Sequence, residues 1–500
     1  MLKKIRTRFA PSPTGYLHVG GLRTALYAYL LAKQHQGTFL LRIEDTDRER
    51  YVSDGIHNIL TSLAWAGINP DEGVRLENNT IVNSGPAGSY IQSERLSIYK
   101  KYAEKLIEQG HAYYCFCTPE RLARVREERQ ANKLPPGYDG LCATLSESEV
   151  KEKLSHNTHS VIRLKMPEHG ETKWNDLIRG EVIFKNDDVD DQVLIKSDGY
   201  PTYHLAVVVD DHEMNISHVI RGEEWISSTP KHLMLYHYFG WEPPHFAHLP
   251  LLLNSDKSKL SKRQGDVAVL DYKAKGYLPD ALLNFVAFLG WNPGNENEIF
   301  SLEQLITSFS LDKVGKSGAV FNIEKLDWYN REYLKKLHPE ELVDYILAYL
   351  PNELQTKEHD REFLLRLAPL LLERIHKGAD LAQMFEQGEL TYYFQEPTYP
   401  KELLLWKNTK ATREGYMETA ERLQHVIKLI NEAPASNDSE AVKAIIFPYA
   451  EKEGRGEILW PLRVALSGKE KSPDPFTLAS LFGKHETIKR IEFAVALLSS

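Results

Sequence analysis

Two short stretches bring together residue types suited to handling phosphate. The first is Pro11-Ser12-Pro13-Thr14-Gly15-Tyr16-Leu17-His18-Val19-Gly20-Gly21. Its prolines hold the chain extended. Gly15, Gly20 and Gly21 let backbone or a flat ring approach, because no Cβ intervenes. Gly20 and Gly21 open a helix, whose N–H groups and dipole favour an anion, and His18 is placed to hydrogen-bond a phosphate oxygen. The alternative is a glycine- and proline-rich turn with a surface histidine. The second stretch, residues 254–265, carries Lys257, Lys259, Lys262 and Arg263. A lysine on such a loop can close over a polyphosphate and neutralise charge that develops during transfer. The alternative here is a solvated basic loop. A third constellation gathers all the cysteines, Cys115, Cys117 and Cys142. A zinc site wants four N, S or O ligands, so Tyr138 or a histidine would have to complete it. The alternative is a set of buried thiols.

The elements that position the first stretch are legible. Ile5 to Phe9 reads as a strand, and Leu22, Ala25, Leu26, Tyr29 and Leu30 mark one face of a helix. Gly37 stands where a C-cap glycine belongs. Thr38 to Ile43 is a second strand ending in Glu44-Asp45-Thr46-Asp47. This β-loop-α-β unit puts its polar residues at strand ends, where open parallel sheets bind ligands. Ile56 to Ala66 and Ser93 to Gln109 read as helices, and Glu77 to Gly88 as a loop. Thr118 and Pro119 should start a helix running to about Ala131. Its Arg121, Arg124, Arg126 and Arg129 read as a solvated face paired with Glu120, Glu127 and Glu128. Residues 145–200 alternate short strand-like runs with turns, as an inserted α+β module would. A buried strand is expected over Gly199 to Asp211, ending in acids, and Val219 to Trp225 reads as another strand end carrying polar groups. Beyond about residue 325 the pattern is helical, with a linker-like break at Ala433 to Asp438.

Five hundred residues exceed a single typical core, so about three or more units are expected. Hydrophobic residues at 42% and charged residues at 26% fit a globular protein. No apolar run approaches the ~20 residues that span a bilayer, and the N-terminus leads into the first strand without a signal-peptide core. Three cysteines make no disulfide framework and point to a reducing, cytoplasmic setting. A net charge of −9 excludes a uniformly basic protein but leaves room for a basic face that binds nucleic acid.

Pro-Ser-Pro-Thr-Gly-x-x-His-Val-Gly-Gly and, some 240 residues later, Lys-Leu-Ser-Lys-Arg (Lys259 to Arg263) resemble the two signatures of class I aminoacyl-tRNA synthetases. Thr7-Arg8-Phe9-Ala10, Arg42 to Asp47 and Arg221-Gly222-Glu223-Glu224-Trp225 narrow the resemblance to the bacterial-type glutamyl-tRNA synthetases, over nearly the whole chain. The resemblance implies an α/β fold: a Rossmann-like parallel-sheet catalytic domain with an inserted α+β acceptor-binding module, then an all-helical anticodon-binding half. The expected boundaries are 1–95 with 200–250 for the catalytic domain and 96–199 for the inserted module. A stem-contact region takes 251–330, and two helical subdomains take 331–395 and 396–500.

The resemblance further implies a monomer that joins L-glutamate to tRNA(Glu) in two steps through glutamyl-adenylate. ATP with Mg²⁺ is consumed, and the first step requires bound tRNA. His18 and Lys262 are the catalytic candidates. His18, Gly20, Gly21, Glu224, Trp225, Leu251, Leu252, Lys259 and Lys262 would bind ATP, the leucines through backbone groups toward adenine. Arg8 and Arg221 would pair with the side-chain carboxylate. Tyr203 would add a hydroxyl bond, Glu44 and Ser12 would hold the α-amino end, and Ala10 completes that pocket. Cys115, Cys117, Tyr138 and Cys142 would hold a structural Zn²⁺. Position 21 is Gly where many class I enzymes have a second His, and Thr144 stands where some relatives have a zinc-ligating His. Glutaminyl-tRNA synthetases end in β-barrels, against the helical pattern here. The tRNA-modifying glutamyl-queuosine enzyme stops after the catalytic half. A non-enzymatic tRNA-binding paralogue would be expected to have lost His18 or Lys262, and both are present.

Overall fold

The computed structural model describes residues 4–133, 137–156, 159–260, 268–355, 360–407 and 409–500. Lys262 and Arg263 lie outside the described residues, and so does the larger part of the second signature. Contacts divide the chain into two compact units, Met1–Asn330 and Arg331–Ser500.

The first unit is built on six strands: β1 (Arg6–Phe9), β2 (Thr38–Leu41), β3 (Glu72–Glu77), β4 (Thr80–Ser84), β5 (His218–Gly222) and β6 (His245–Leu249). Their spatial order is β6-β5-β1-β2-β3-β4. All neighbours are parallel except β3 and β4. The chain steps outward from β1 to β2 and β3, then returns to the other side of β1 as β5. Strand order therefore reverses between β1 and β5, and the crevice beyond their C-terminal ends is the ligand position of such sheets. Side-chain alternation along β1 sends neighbours to opposite faces. Thr7 donates from Oγ1 to the Ala28 carbonyl of the helix Val19–Gln34. Arg8 reaches Asp211, on the helix Tyr203–Glu213.

That second helix corrects the strand expected over Gly199 to Asp211. Leu205 to Val209 are all buried, so no polar face breaks the run, and a run buried on every side carries no period by which strand and helix differ. The same residues also pack against the inserted module. Ile162, Leu164 and Leu194 of the inserted module share one apolar cluster with Leu205–Val209 and Leu235. The module thus lies within the same compact unit as the sheet.

Two smaller differences have local causes. Glu77 to Gly88, read as a loop, contains a hairpin between β3 and β4. Asn78 and Asn79 turn it with φ of 49° and 64°, the left-handed pair that such turns require. Gly37 is not the left-handed residue after the first helix. Gln36 is, at φ 51°, and Gly37 is needed because a Cβ there would lie 2.2 Å from the Ile5 carbonyl oxygen. The strand end read at Val219 to Trp225 closes the strand His218–Gly222, and Glu223–Ser228 winds into a short 3₁₀ turn.

The second unit is helical. Arg413–Glu432, Ser439–Glu453, Arg455–Ser467 and Pro475–Ser499 are its main elements, the last broken at Gly483. One apolar cluster runs through it from Leu342 to Leu498. Among the described residues no helix is long and apolar enough to cross a membrane.

Candidate active site

A cavity of about 960 Å³ opens at the β1–β5 reversal. Arg8, Ala10, Ser12 and Glu44 line it from β1, β2 and the loops that follow them. Tyr203, Arg221, Glu224 and Trp225 line it from the opposite side. His18, Gly20, Gly21, Leu251, Leu252 and Lys259 complete its wall. Of the residues singled out at this site, only Lys262 is not placed. Residues on both sides of the undescribed stretch 261–267 are anchored. Leu260 N–H donates to the Leu252 carbonyl and Val269 N–H to the Leu17 carbonyl.

The geometry revises the phosphate end. His18 is the N-cap of the helix Val19–Gln34, and its Nδ1 accepts from the N–H groups of Gly20 and Gly21 at 3.1 and 3.2 Å. Those N–H groups therefore meet the imidazole rather than being presented to a ligand. A nitrogen that accepts is bare, so the neutral ring carries its proton on Nε2. The helix start thus selects the tautomer of His18 that donates from Nε2. Gly20 permits this, since a Cβ there would sit 3.0 Å from the ring.

At the far end, three arginines and three carboxylates form a buried network. Arg42 is fully buried; it binds Asp211 at 2.8 Å and Glu44 at 3.0 Å, and lies 3.7 Å from Asp210. Arg8 meets Asp211 at 3.1 Å and Arg95 meets Asp210 at 2.9 Å. Gln92 and the Tyr99 hydroxyl also donate to Asp210. Burial works against the Asp211 carboxylate, but Arg8 and Arg42 hold it below its ordinary range. For Glu44 burial wins, and its carboxyl is raised despite Arg42 and Arg8.

Arg221 is treated differently. It is 5% exposed. Its Nε donates to His248 Nε2 at 3.0 Å, Nη1 lies 3.1 Å from both the Tyr203 hydroxyl and His232 Nδ1, and Nη2 donates to Thr229 Oγ1 at 2.8 Å. These partners are neutral. Burial first, and Arg221 next, keep His232 far below the usual imidazole range, while burial lowers His204 to about 4. Among the described residues Arg221 makes no ion pair. It is a buried, oriented cation that faces the cavity with no carboxylate paired to it, a state that favours an incoming anion.

At the adenine end, the Leu251 N–H donates to Glu223 Oε1 at 2.9 Å and the Leu251 carbonyl accepts from Ala319. Both backbone groups of Leu251 are thus engaged in this structure, and the Leu252 carbonyl accepts from Leu260. Trp225 packs on Tyr203 with ring centroids 4.1 Å apart.

The cysteines converge in the inserted module. The three sulfurs lie within 4.8 Å of one another. Tyr138 Oη stands 3.5 Å from Cys115 Sγ and 3.3 Å from Cys117 Sγ, and Cys117 Sγ is 3.6 Å from Cys142 Sγ. Tetrahedral ligands at zinc bond lengths would be about 3.8 Å apart for two sulfurs and about 3.5 Å for sulfur and oxygen. The Thr144 hydroxyl instead donates to the Leu141 carbonyl.

Sequence reading had missed Arg42, Asp211, His232, His248 and Thr229 as parts of this site. Asp210 and Asp211 were visible as acids at an element's end. The histidines carried no signal of their own, because their role depends on the register that sets Arg221 beside His248.

The chain resembles known proteins along its whole length. Residues 4–328 match the family model for the catalytic domain of class I tRNA synthetases (E and Q), and residues 339–495 match that for an anticodon binding domain. The glutamate–tRNA ligase of Chloroherpeton thalassium is 47% identical, with 98% of this chain and 97% of that protein aligned. That of Alkaliphilus metalliredigens is 44% identical, over 98% and 99%. A crystal structure of a glutamate tRNA ligase from Elizabethkingia meningosepticum in complex with its amino acid superposes with a TM-score of 0.87 at 39% identity, covering 99% of this chain and 100% of that one.

Proposed function

This chain belongs to the glutamate–tRNA ligase family of class I tRNA synthetases, and from that premise we propose how its own residues carry the reaction. The enzyme attaches glutamate to tRNA with ATP as the energy source, using Mg²⁺ as these enzymes generally do. Our reading is that tRNA(Glu) is the acceptor, that the helical half reads its anticodon, and that the protein acts as a cytoplasmic monomer.

One observation supports the amino-acid assignment above the others: Arg221 is buried, faces the cavity and has no counter-charge among the described residues. We assign it to the glutamate side-chain carboxylate, with Arg8 and the Tyr203 hydroxyl beside it. Glu44 and Ser12 take the α-amino end, and Ala10 closes the pocket. The α-carboxylate is itself a nucleophile, so no general base is needed and the protein's task is alignment and charge stabilisation. The α-carboxylate oxygen attacks the α-phosphorus and pyrophosphate leaves. A terminal ribose hydroxyl of the tRNA then attacks the activated carbonyl and AMP leaves. His18, donating from Nε2, and Lys262 stabilise the phosphate oxygens. Lys259, Glu224 and Trp225 line the nucleotide's side of the cavity. Aminoacylation assays with glutamate, ATP and tRNA(Glu) test the reading, and absence of charging would reject it.

His18 has two roles, and one substitution separates them. Asparagine is a good N-cap but too short to reach the phosphate. His18→Asn should leave thermal stability unchanged while kcat falls by roughly 10²–10³-fold, the effect of losing one preorganised donor. A kcat close to that of the wild type would remove His18 from catalysis.

We further propose that Cys115, Cys117, Cys142 and Tyr138 hold a structural zinc. The support is the sulfur and oxygen spacing given above, together with Arg121, which donates to Cys117 Sγ at 3.3 Å. Bound there, the ion would tie the strand Ala112–Cys115 to the turn at Leu141–Thr144 and so fix the inserted module. Elemental analysis of protein purified without chelators should find about one zinc per chain, and Cys117→Ser should lower it. Wild-type protein with far less zinc would reject the assignment.

A further inference from the structure

We infer that Asp176 is a positioning residue for glutamate selection: acting through His248, it fixes the acceptor that holds Arg221 in place. Asp176 ends the first strand of the hairpin formed by Glu171–Asp176 and Gly180–Lys185. The inference rests on Arg221 receiving the substrate carboxylate.

The argument is one of proton placement. Arg221 Nε–H donates to His248 Nε2 at 3.0 Å. An imidazole nitrogen accepts only when it is bare. On the other side of the ring, His248 Nδ1 lies 2.5 Å from Asp176 Oδ2. A carboxylate only accepts, so the ring proton belongs on Nδ1, and Nε2 is left as the acceptor for Arg221. All three groups are buried, with 1% of Asp176, none of His248 and 5% of Arg221 exposed. Water therefore has little access to substitute for a misplaced proton. The remaining donors of Arg221 are fixed by Tyr203, His232 and Thr229. Asp176 contacts the imidazole, and among the described residues it forms no ion pair with Arg221, so the arginine is oriented without a directly paired charge. The two oxygens of Asp176 are separately employed. Oδ1 accepts only backbone N–H groups, those of Ile178 and Arg179, which close the hairpin turn, and that of His248 at 3.3 Å, while Oδ2 faces the His248 ring.

That division allows a clean test. Asp176→Asn keeps an oxygen for the turn and turns an NH₂ toward His248. The ring proton then moves to Nε2 and points at the Arg221 N–H. The glutamate KM should rise by about ten- to hundredfold, with kcat and the ATP KM changed far less. His248→Met removes the relay and should raise the glutamate KM by itself. In that background Asp176→Asn should add nothing, because the two residues act in series. If Asp176→Asn raises the KM by the same factor with or without His248, or has no effect with His248 present, the inference is overturned. Histidine nitrogen chemical shifts of the wild-type protein provide a second measurement that needs no variant: the His248 proton must be on Nδ1, and a proton on Nε2 overturns the proposal. Arg221→Met is run alongside. An unchanged glutamate KM in that variant would reject the role of Arg221 itself, whereas a raised KM there with a silent Asp176→Asn rejects only the relay.

Discussion

Replacing Arg221 with methionine is expected to lower kcat/KM for glutamate by about 10²–10³-fold, the cost of removing one partner of a buried, hydrogen-bonded charge pair. The expectation follows from how the guanidinium is held. Tyr203, His232, His248 and Thr229 fix its orientation without supplying a negative charge. The substrate carboxylate would provide that charge, and an uncharged amide would not. Glutamine leaves the cation buried and unpaired, and a site built around such bonds can reject an analogue by roughly 10⁴-fold. The variant should therefore also lose most of its preference for glutamate over glutamine, while its ATP KM stays near that of the wild type. Aminoacylation kinetics with each amino acid measure both quantities. A variant whose kcat/KM for glutamate stays within about threefold of the wild type would exclude Arg221 from recognition.

The second large effect concerns stability. Arg42 is fully buried and is shared by Asp211, Glu44 and Asp210. Arg42→Met would leave three buried carboxylates facing Arg8 and Arg95. Breaking a buried pair in this way costs about 3–5 kcal/mol. Urea unfolding should show the loss in the transition of the Met1–Asn330 unit, with that of the helical unit unmoved. The deficit should shrink as pH falls. Burial already raises the Glu44 carboxyl above 4.5, and Arg42 is the largest influence opposing that rise. Without Arg42 the folded-state value climbs further above the unfolded one. The native state then binds the extra proton, so stability increases as pH drops toward the unfolded value. A variant equally stable to the wild type at neutral pH, or one whose deficit widens on mild acidification, would contradict this account.

The front of the site was legible because its elements are local. Leu22, Ala25, Leu26 and Tyr29 repeat at helical spacing, and the prolines and glycines before them mark a loop, so the β-loop-α-β unit follows from short-range pattern alone. Residues 203–213 were misread for the opposite reason. Leu205 to Val209 are buried in one cluster with the inserted module and with Leu235, Tyr236 and Phe239, and burial on all sides erases the periodicity on which such readings depend. The Gly20 and Gly21 N–H groups were correctly placed at a helix start. What they bind was not legible, since the His18 ring folds back onto them through a side-chain torsion that spacing does not encode.

The sequence by itself determined the chemistry on offer: a histidine at a helix start, a lysine-rich loop, two arginines and a glutamate at strand ends, three clustered cysteines, and a helical second half. Types and local spacing carry that much, because turns, caps and amphipathic faces are set by neighbours a few residues away. The tertiary structure decided which charges are already satisfied. Arg8 and Arg221 look alike in the chain, yet Arg8 is committed to Asp211. Arg221 is surrounded by neutral acceptors, because parallel pairing of β5 with β6 sets it beside His248. The difference arises from contacts between residues 27 and 203 positions apart, a distance over which no local pattern acts.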